Sequence, residues 1–232
     1  MNLNGFKRID FHNHTTISDG RLAPLQVLQR ALELDFGAVA LTDHADQNNV
    51  ESIVEKILKA EEQARGLPAF RQLTILPGVE LTLVEPSEIA SVAHRAKQAG
   101  ARLVLVHGET AAGWGGAPGT NDAAAQCPDV DILAHPGYIS EEAARYAAEN
   151  NVFVELSGRE VYSPTNDHIA TVARHAGCKL LVNSDSHYPE QMLTLPRAEK
   201  VAHEAGLSED ELYRALITNP EELLERVRRV RV

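Results

Sequence analysis

The feature that most constrains the fold is a repeated alternation of short apolar runs with amphipathic helical patterns. Each pair is typical of a βα unit, in which a buried strand is followed by a helix that packs on the sheet. The pattern therefore predicts a mostly parallel sheet of seven strands. The apolar runs are Arg8–Phe11, Ala38–Thr42, Leu73–Leu83, Arg102–Val106, Asp131–Ala134, Val152–Leu156 and Lys179–Asn183.

Helical patterns fill the intervals between these runs. Ser87 and Ser140 are expected N-caps, because their side-chain oxygens can accept from the first turn of a helix. The predicted helices are Pro24–Asp35, Asn49–Gly66, Ser87–Ala99, Ser140–Asn150, Pro164–Ala176 and Leu195–Ala205, followed by Ser208–Thr218 and Pro220–Arg229 in the tail. With 232 residues and no visible linker or repeat, the chain is predicted to be one α/β domain, residues 1–232. Strand patterns alone allow a TIM-like (β/α)7 barrel or an open doubly wound sheet.

Residues that can bind metal follow almost every predicted strand. In a parallel barrel the carboxyl ends of the strands meet at one mouth, which is where functional side chains gather. Convergence of these residues therefore favours the barrel over the open sheet. The candidate metal ligands are His12, His14, Asp19, His44, Glu80, His107, His135, Asp185 and His187.

The spacing and number of these residues point to more than one metal ion. His12 and His14 lie two residues apart, so both imidazoles can leave the same face of an extended chain. Nine ligands exceed the needs of one ion with four to six ligands. Imidazole and carboxylate without thiolate suit Zn, Mn or Fe. Taken singly, each motif has a local explanation, such as a turn at Asp19-Gly20 or a helix cap at Thr42-Asp43-His44. If all the motifs had only such local explanations, six independent coincidences at six strand ends would be required.

The set HxHTxxSDG, TDH, GVE, VHG, AHPG and NSDSH resembles the polymerase and histidinol phosphatase (PHP) family, and it spans Asp10 to His187 in the family's order. The resemblance implies a distorted (β/α)7 barrel with three divalent metal ions. It departs from many members in having Asp19 in place of a histidine. The implied ligands are His12, His14, Glu80 and Asp185 for the first ion, Glu80, His107 and His135 for the second, and Asp19, His44 and His187 for the third.

This resemblance implies a metal-dependent phosphoesterase of the histidinol-phosphatase type, acting on a small phosphorylated metabolite. A hydroxide bridging two ions would attack phosphorus. Arg159 resembles the arginine that binds the substrate phosphate, although a salt bridge at the rim is an alternative. Asp43 is expected either to orient a ligand, to donate a proton or to cap a helix. The glycine-rich stretch Gly113–Asn121 is predicted to be a loop, and a lid over the mouth is one interpretation.

Charge and composition narrow the partner and the compartment. The formal net charge of −11 argues against a nucleic acid as the main partner, since phosphate contacts need clustered Lys and Arg. Cys127 and Cys178 are expected to be reduced thiols. No signal peptide or membrane span is visible, so a cytoplasmic protein is expected. Three alternatives stay open: a metal-dependent amidohydrolase, a 3′–5′ exonuclease, and a PHP-like module that binds metal without turnover. The natural substrate and the oligomeric state stay open too.

Overall fold

A computed structural model describes Leu3 and residues 5–229 of the chain. All seven predicted strands are present, and one additional strand of two residues, β3, follows the second of them. The strands are β1 (Arg8–Asp10), β2 (Phe36–Leu41), β3 (His44–Ala45), β4 (Thr74–Leu81), β5 (Leu103–His107), β6 (Ile132–Ala134), β7 (Phe153–Ser157) and β8 (Leu180–Asn183). The alternation of apolar runs thus predicted the strands to within a few residues at each end.

Helices lie between the strands as the periodicity predicted. The α-helices are α1 (Pro24–Glu33), α2 (Val50–Arg65), α3 (Ile89–Gln98), α4 (Thr120–Gln126), α5 (Glu141–Asn150), α6 (Asn166–Ala176), α7 (Leu195–Glu204), α8 (Glu209–Tyr213) and α9 (Asn219–Arg229). A π-helical turn, Arg214–Thr218, joins α8 to α9. Short 3-10 helices cover Pro68–Phe70, Pro86–Glu88, Ser163–Thr165 and Pro189–Gln191. Across the described part of the chain, none of the helices has both the length and the apolar character that crossing a membrane requires.

Two local predictions were wrong. Ser87 was expected to cap α3, but it lies inside the 3-10 helix Pro86–Glu88, and Glu88 occupies the N-cap position. Helix α4 forms where the sequence predicted only the end of a glycine-rich loop. Ser140 does cap α5, since its hydroxyl accepts a hydrogen bond of 3.0 Å from the amide of Ala143.

The sheet is a nearly closed barrel of parallel strands, which confirms the TIM-like (β/α)7 prediction. Neighbouring strands run in the order β1-β2-β4-β5-β6-β7-β8, and β3 pairs with β4. Past the ends of β1 and β8, a parallel bridge between Asn13 and Ser186 brings the two edges together. The amide of Ser184 also donates to the carboxylate of Asp10. The barrel is therefore joined at the end where the predicted ligands lie.

The barrel interior has its own apolar core, separate from the larger core between sheet and helices. Helix α9 supplies Leu223 and Val227 to this interior core, and both side chains are buried. They pack with side chains from inside the barrel: Phe11, Ala40, Leu76, Leu103, Leu105, Ile132, Ala134, Phe153 and Leu181. The amphipathic C-terminal helix thus contributes its apolar face to the core of the barrel.

Leu223→Ala tests this contribution. Because Leu223 is fully buried, removing its methyl groups leaves a cavity, and we expect the free energy of unfolding to fall by about 2–5 kcal/mol. The exposed Glu221→Ala on the same helix is the matched control and should change it by less than about 0.5 kcal/mol. Urea denaturation followed by circular dichroism measures both. Equal effects from the two variants would show that α9 does not stabilise the barrel.

Candidate metal centre

All nine predicted ligands come from the carboxyl ends of strands or from the loops that follow them. Seven are buried, while the side chains of His44 and Asp19 are 16% and 53% exposed. The cluster therefore extends from the barrel interior to the surface. Three groups of side chains have ligand atoms within 4.8 Å of one another: His12, His14 and Asp185; His12, Glu80 and His135; and His14, Asp19, His44 and His187.

The deepest group lies around the two histidines that follow β1. Nε2 of His14 is 3.1 Å from Nε2 of His12 and 3.2 Å from Oδ1 of Asp185. A carboxylate oxygen of Glu80 lies 3.3 Å from His12 and 3.5 Å from His14. Ligand atoms about 2.0–2.2 Å from a tetrahedral ion lie about 3.4 Å from one another, so these spacings suit one shared cation. The structure thus brings together the four residues expected for the first ion.

The group that contains Asp19, His44 and His187 lies nearer to the surface. Asp19 faces His187 at 3.2 Å and His44 at 3.6 Å. Nδ1 of His14 is 3.9 Å from the same carboxylate, so His14 joins this group as well as the deeper one. The three residues expected for the third ion therefore lie together, with one histidine that the sequence had placed elsewhere.

The residues expected for the second ion are brought together only in part. Nε2 of His135 lies 3.2 Å from Oε1 of Glu80, which fits the expected pair. The ring of His107 packs against that of His135, with centroids 4.4 Å apart, but its Nε2 faces the hydroxyl of Tyr162 at 3.4 Å. Within the described chain His107 belongs to none of the three ligand groups.

Unpartnered buried atoms test whether this donor set suits cations. Ten buried side-chain nitrogen or oxygen atoms lack a hydrogen-bond partner in the described chain, and six of them belong to predicted ligands. Buried polar atoms are costly when they lack a partner, and metal coordination would satisfy them. The donor set therefore fits divalent cations. The six are Nδ1 of His14, Nε2 of His44, both carboxylate oxygens of Glu80, Nδ1 of His135 and Nε2 of His187.

Glu155 orients the deepest histidine, and sequence reasoning missed it. Its carboxylate lies 2.9 Å from Nδ1 of His12 and accepts hydrogen bonds from the amide of His135 and the side chain of Asn183. A carboxylate on Nδ1 leaves Nε2 directed at the cluster and makes it a better ligand. One acidic residue inside the apolar run Val152–Leu156 was the available signal.

Two further buried carboxylates hold the loops that carry ligands. Asp10 forms an ion pair of 2.9 Å with the buried Arg8 and accepts from Ser184, which links β1 to the end of β8. Asp43 accepts hydrogen bonds from the amides and hydroxyls of Thr15 and Ser18. Of the roles expected for Asp43, this geometry favours orientation of the Thr15–Asp19 loop.

The buried charges set the protonation of the cluster. Burial lowers the pKa of His12, but the carboxylates of Glu155, Glu80 and Asp185 outweigh it and raise that pKa well above its usual value. For His14, burial and the neighbouring His44 lower the pKa to about 3. Burial opposes ionisation of Glu80, yet the surrounding histidines hold its pKa well below the usual range. The Glu80 carboxylate is therefore ionised and needs positive charge beside it.

Backbone conformation supports a functional role for this end of the barrel. His135 and Asp185 have φ angles of 29° and 49°, in the left-handed region that residues other than glycine seldom adopt. Gly115 has a φ of 142°, and a Cβ there would lie 2.3 Å from the ring of His107. The glycine-rich loop therefore rests directly against a predicted ligand.

Arg159 and Tyr162 lie beside the cluster. The guanidinium of Arg159, 26% exposed, is 3.5 Å from Oδ2 of Asp185 and lies over the ring of Tyr162. Tyr162 in turn stacks on His135, with ring centroids 4.1 Å apart. Trp114, on the glycine-rich loop, contacts His107 edge to face at 4.8 Å. Arg159 lies near the mouth, as expected from the sequence. No sequence feature singled out Tyr162.

Comparison with known proteins identifies relatives along nearly the whole chain. The model of the family described as RNase P subunit p30 matches residues 9–231. An uncharacterized protein of Methanocaldococcus jannaschii is 42% identical over 223 residues, which cover 95% of this chain and 100% of that protein. Ribonuclease P protein component 3 of Methanosarcina barkeri is 25% identical over 237 residues, covering 96% of this chain and 90% of its own.

Solved structures agree on the fold. A chain in the cryo-EM structure of archaeal ribonuclease P with mature tRNA superposes with a TM-score of 0.60 and 16% identity, covering 95% of this chain and 88% of that one. Histidinol phosphate phosphatase of Lactococcus lactis, with zinc, L-histidinol and phosphate, gives 0.58 at 14% identity, covering 87% and 95%. The resemblance to histidinol phosphatases therefore holds for the fold.

These findings overturn several expectations from sequence. The family match is to RNase P subunit p30 and not to the PHP family, and relatives that cover nearly the whole chain include ribonuclease P components of two Methanosarcina species. The expected histidinol-phosphatase-like hydrolysis of a small phosphomonoester, and with it the classification as a phosphoric monoester hydrolase, is wrong. So is the expectation that a nucleic acid is an unlikely partner. Ligands of the expected kind would suit many phosphate chemistries, so they do not identify a substrate. The net charge is an average over the whole surface, so it does not exclude a local site for a nucleic acid.

Glu80→Gln tests the centre of the cluster. Because Glu80 contacts His12, His44 and His135 from one buried position, we expect this variant to lose at least one equivalent of bound divalent metal. Elemental analysis after dialysis against Zn²⁺ or Mn²⁺ measures the loss. The exposed Glu160→Gln, also at the mouth, should retain the wild-type metal content. Retention of full metal content by Glu80→Gln would refute its role as a ligand.

Glu155→Gln tests the orientation of His12. Loss of the carboxylate on Nδ1 is expected to weaken metal affinity by roughly 10–100-fold without removing a ligand. Competition with a fluorescent chelator gives the affinity, and thermal unfolding of the metal-free protein controls for folding. An unchanged affinity in a folded variant would mean that His12 is positioned by other contacts.

Proposed function

The chain belongs to the RNase P subunit p30 family, and from that premise we propose that it is an RNA-processing component that binds RNA at a divalent-metal centre in its barrel mouth. The observation that carries the proposal is the family match over residues 9–231, which includes every candidate ligand and, apart from Arg8 at the start of β1, every strand. The single domain, residues 1–232, would act as one functional unit.

In this proposal the cations are held by the groups already described. Up to three ions of Zn, Mn or Fe would be bound, since these suit imidazole and carboxylate ligands. When bound, they would supply positive charge to RNA phosphate oxygens. The ligands would be His12, His14, Glu80 and Asp185 for one ion, Glu80 and His135 with His107 alongside for another, and Asp19, His44 and His187 for the last.

Residues of the chain itself would orient the RNA. Arg159 is partly exposed beside Asp185, where its planar guanidinium can donate two hydrogen bonds to one phosphate. That guanidinium packs over the ring of Tyr162. Asp43 would act indirectly, by holding the loop that carries Asp19.

The acidic composition is compatible with RNA binding at this place. A chain with a formal net charge of −11 repels a phosphate backbone at long range. Bound cations would reverse that effect locally, and Arg159 would add to it. Binding would therefore depend on metal, which separates this proposal from binding through a basic patch.

A transfer RNA is the appropriate probe, because one structural neighbour is a component of a ribonuclease P complex with mature tRNA. We expect labelled tRNA to bind to the metal-loaded protein and to be released by EDTA. Arg159→Ala should weaken binding about tenfold or more, since a charge-assisted hydrogen bond is worth roughly 1.5–3 kcal/mol. Fluorescence anisotropy measures each affinity.

Arg145→Ala is the matched control, because Arg145 is an exposed arginine on α5. It should bind tRNA as the wild type does. Equal weakening by both substitutions would indicate a diffuse charge effect. Affinity unaffected by EDTA and by Arg159→Ala would refute the proposed site.

A further inference from the structure

Exposed apolar side chains are concentrated at the barrel mouth. Seven large apolar side chains are exposed in the described chain, and five of them lie on the loops that follow β4, β5, β6, β7 and β8, one on each loop. These five, which we call the rim, are Leu83, Trp114, Tyr138, Val161 and Tyr188. The other two, Phe6 and Leu67, precede β1 and β4 at the opposite end of the barrel. Apolar side chains exposed around a polar centre indicate a binding surface.

Contacts tie the rim to the metal centre. Trp114, 47% exposed, packs edge to face on His107 at 4.8 Å and on His44 at 5.7 Å. Its indole therefore touches two candidate ligands and still presents surface to solvent. A ligand bound at the cations would therefore contact this ring.

The other aromatic members are also held in place. Tyr188, 41% exposed, lies under the guanidinium of Arg21, which is 5.4 Å from the ring centroid. Tyr138, 71% exposed, packs edge to face on His168 at 5.4 Å. Leu83 has a φ of 57°, an uncommon conformation for leucine, and it is 61% exposed. Aromatic rings that are held in position can stack on the flat face of a nucleic-acid base.

We propose that the rim is a stacking surface for the unpaired bases of single-stranded RNA whose backbone phosphate lies at the metal centre. This inference rests on the proposed function and adds the class of RNA. Unpaired bases can turn out and stack on aromatic side chains, whereas the faces of bases inside a duplex are already covered.

Single-stranded RNA fits the rim better than a protein partner does. The core of a protein interface is enriched in aromatic residues and Arg but depleted in Asp and Glu. This rim surrounds a centre of histidines and carboxylates, and two arginines lie next to it, Arg21 over Tyr188 and Arg159 beside Asp185. Aromatic rings with cationic groups next to them can receive both the bases and the phosphates of a strand.

The single tryptophan makes stacking directly observable. Trp114 is the only tryptophan of the chain, so all the indole fluorescence of the protein comes from it. A base that stacks on this ring should quench that fluorescence. Zn²⁺-loaded full-length protein is titrated with an oligoadenylate of about 12 nucleotides, an abasic strand of the same length and the corresponding duplex. We expect quenching by the oligoadenylate and at least tenfold weaker binding, with little quenching, by the other two.

Substitution of the rim provides the second measurement. The triple variant Trp114→Ala, Tyr138→Ala, Tyr188→Ala should bind end-labelled oligoadenylate at least tenfold more weakly by anisotropy, with unchanged zinc content. The matched control is Phe6→Ala with Leu67→Ala, which removes the exposed apolar side chains at the other end. It should bind as the wild type does. Unchanged zinc content shows that the centre itself is intact.

The outcomes separate this inference from the proposed function. If tRNA binds in a metal-dependent way but the abasic strand or the duplex binds as well as the oligoadenylate, base stacking is wrong and the metal-dependent RNA site stands. The same conclusion follows if the triple variant keeps its affinity, and the rim would then serve another partner, such as a protein. If the zinc-loaded wild type binds neither tRNA nor oligoadenylate, both proposals are wrong.

Discussion

The buried carboxylate of Glu80 is the group around which the barrel mouth is organised. It faces His12, His44 and His135, which come from three different strand ends, at distances of 2.9–3.3 Å. Neither oxygen accepts a hydrogen bond in the described chain, so imidazoles alone compensate its charge. A buried ion pair is costly unless the remaining lone pairs are satisfied. Cations and protons compete for the same histidine nitrogens, and cations would also satisfy both carboxylate oxygens.

The sequence predicted the barrel well because its signal is local. Each βα unit carries its own apolar run and helical period, and parallel strands need helical crossovers, so the order of elements nearly determines the topology. Features without a local period were missed. Strand β3 has two residues, and α4 lies in glycine-rich surroundings. The tail helix was expected, but the insertion of its Leu223 into the barrel depends on contacts that are distant in sequence.

The candidate ligands were predictable for the same reason, since strand ends in a parallel barrel share one mouth. Glu155 was not, because its contact with His12 joins residues 143 positions apart. The expectation that a nucleic acid is an unlikely partner failed for a different reason. Net charge describes the field far from a protein, whereas recognition of one phosphate depends on the few charges next to it. Histidine and carboxylate motifs report a preference for cations and carry no information about which phosphate compound follows.

Access to the cluster favours a long ligand over a small one. The deepest groups, Glu80 and His12, have no exposed surface, whereas Asp19 is about half exposed and His44 is partly exposed. The ligand groups therefore extend from the barrel interior to the solvent, and the rim continues outward from the surface end through Trp114 and His44. A small metabolite gains most from a pocket that encloses it. An RNA strand that crosses the mouth would bind differently. One of its phosphates would lie inside the barrel, and the neighbouring nucleotides would contact side chains at the rim.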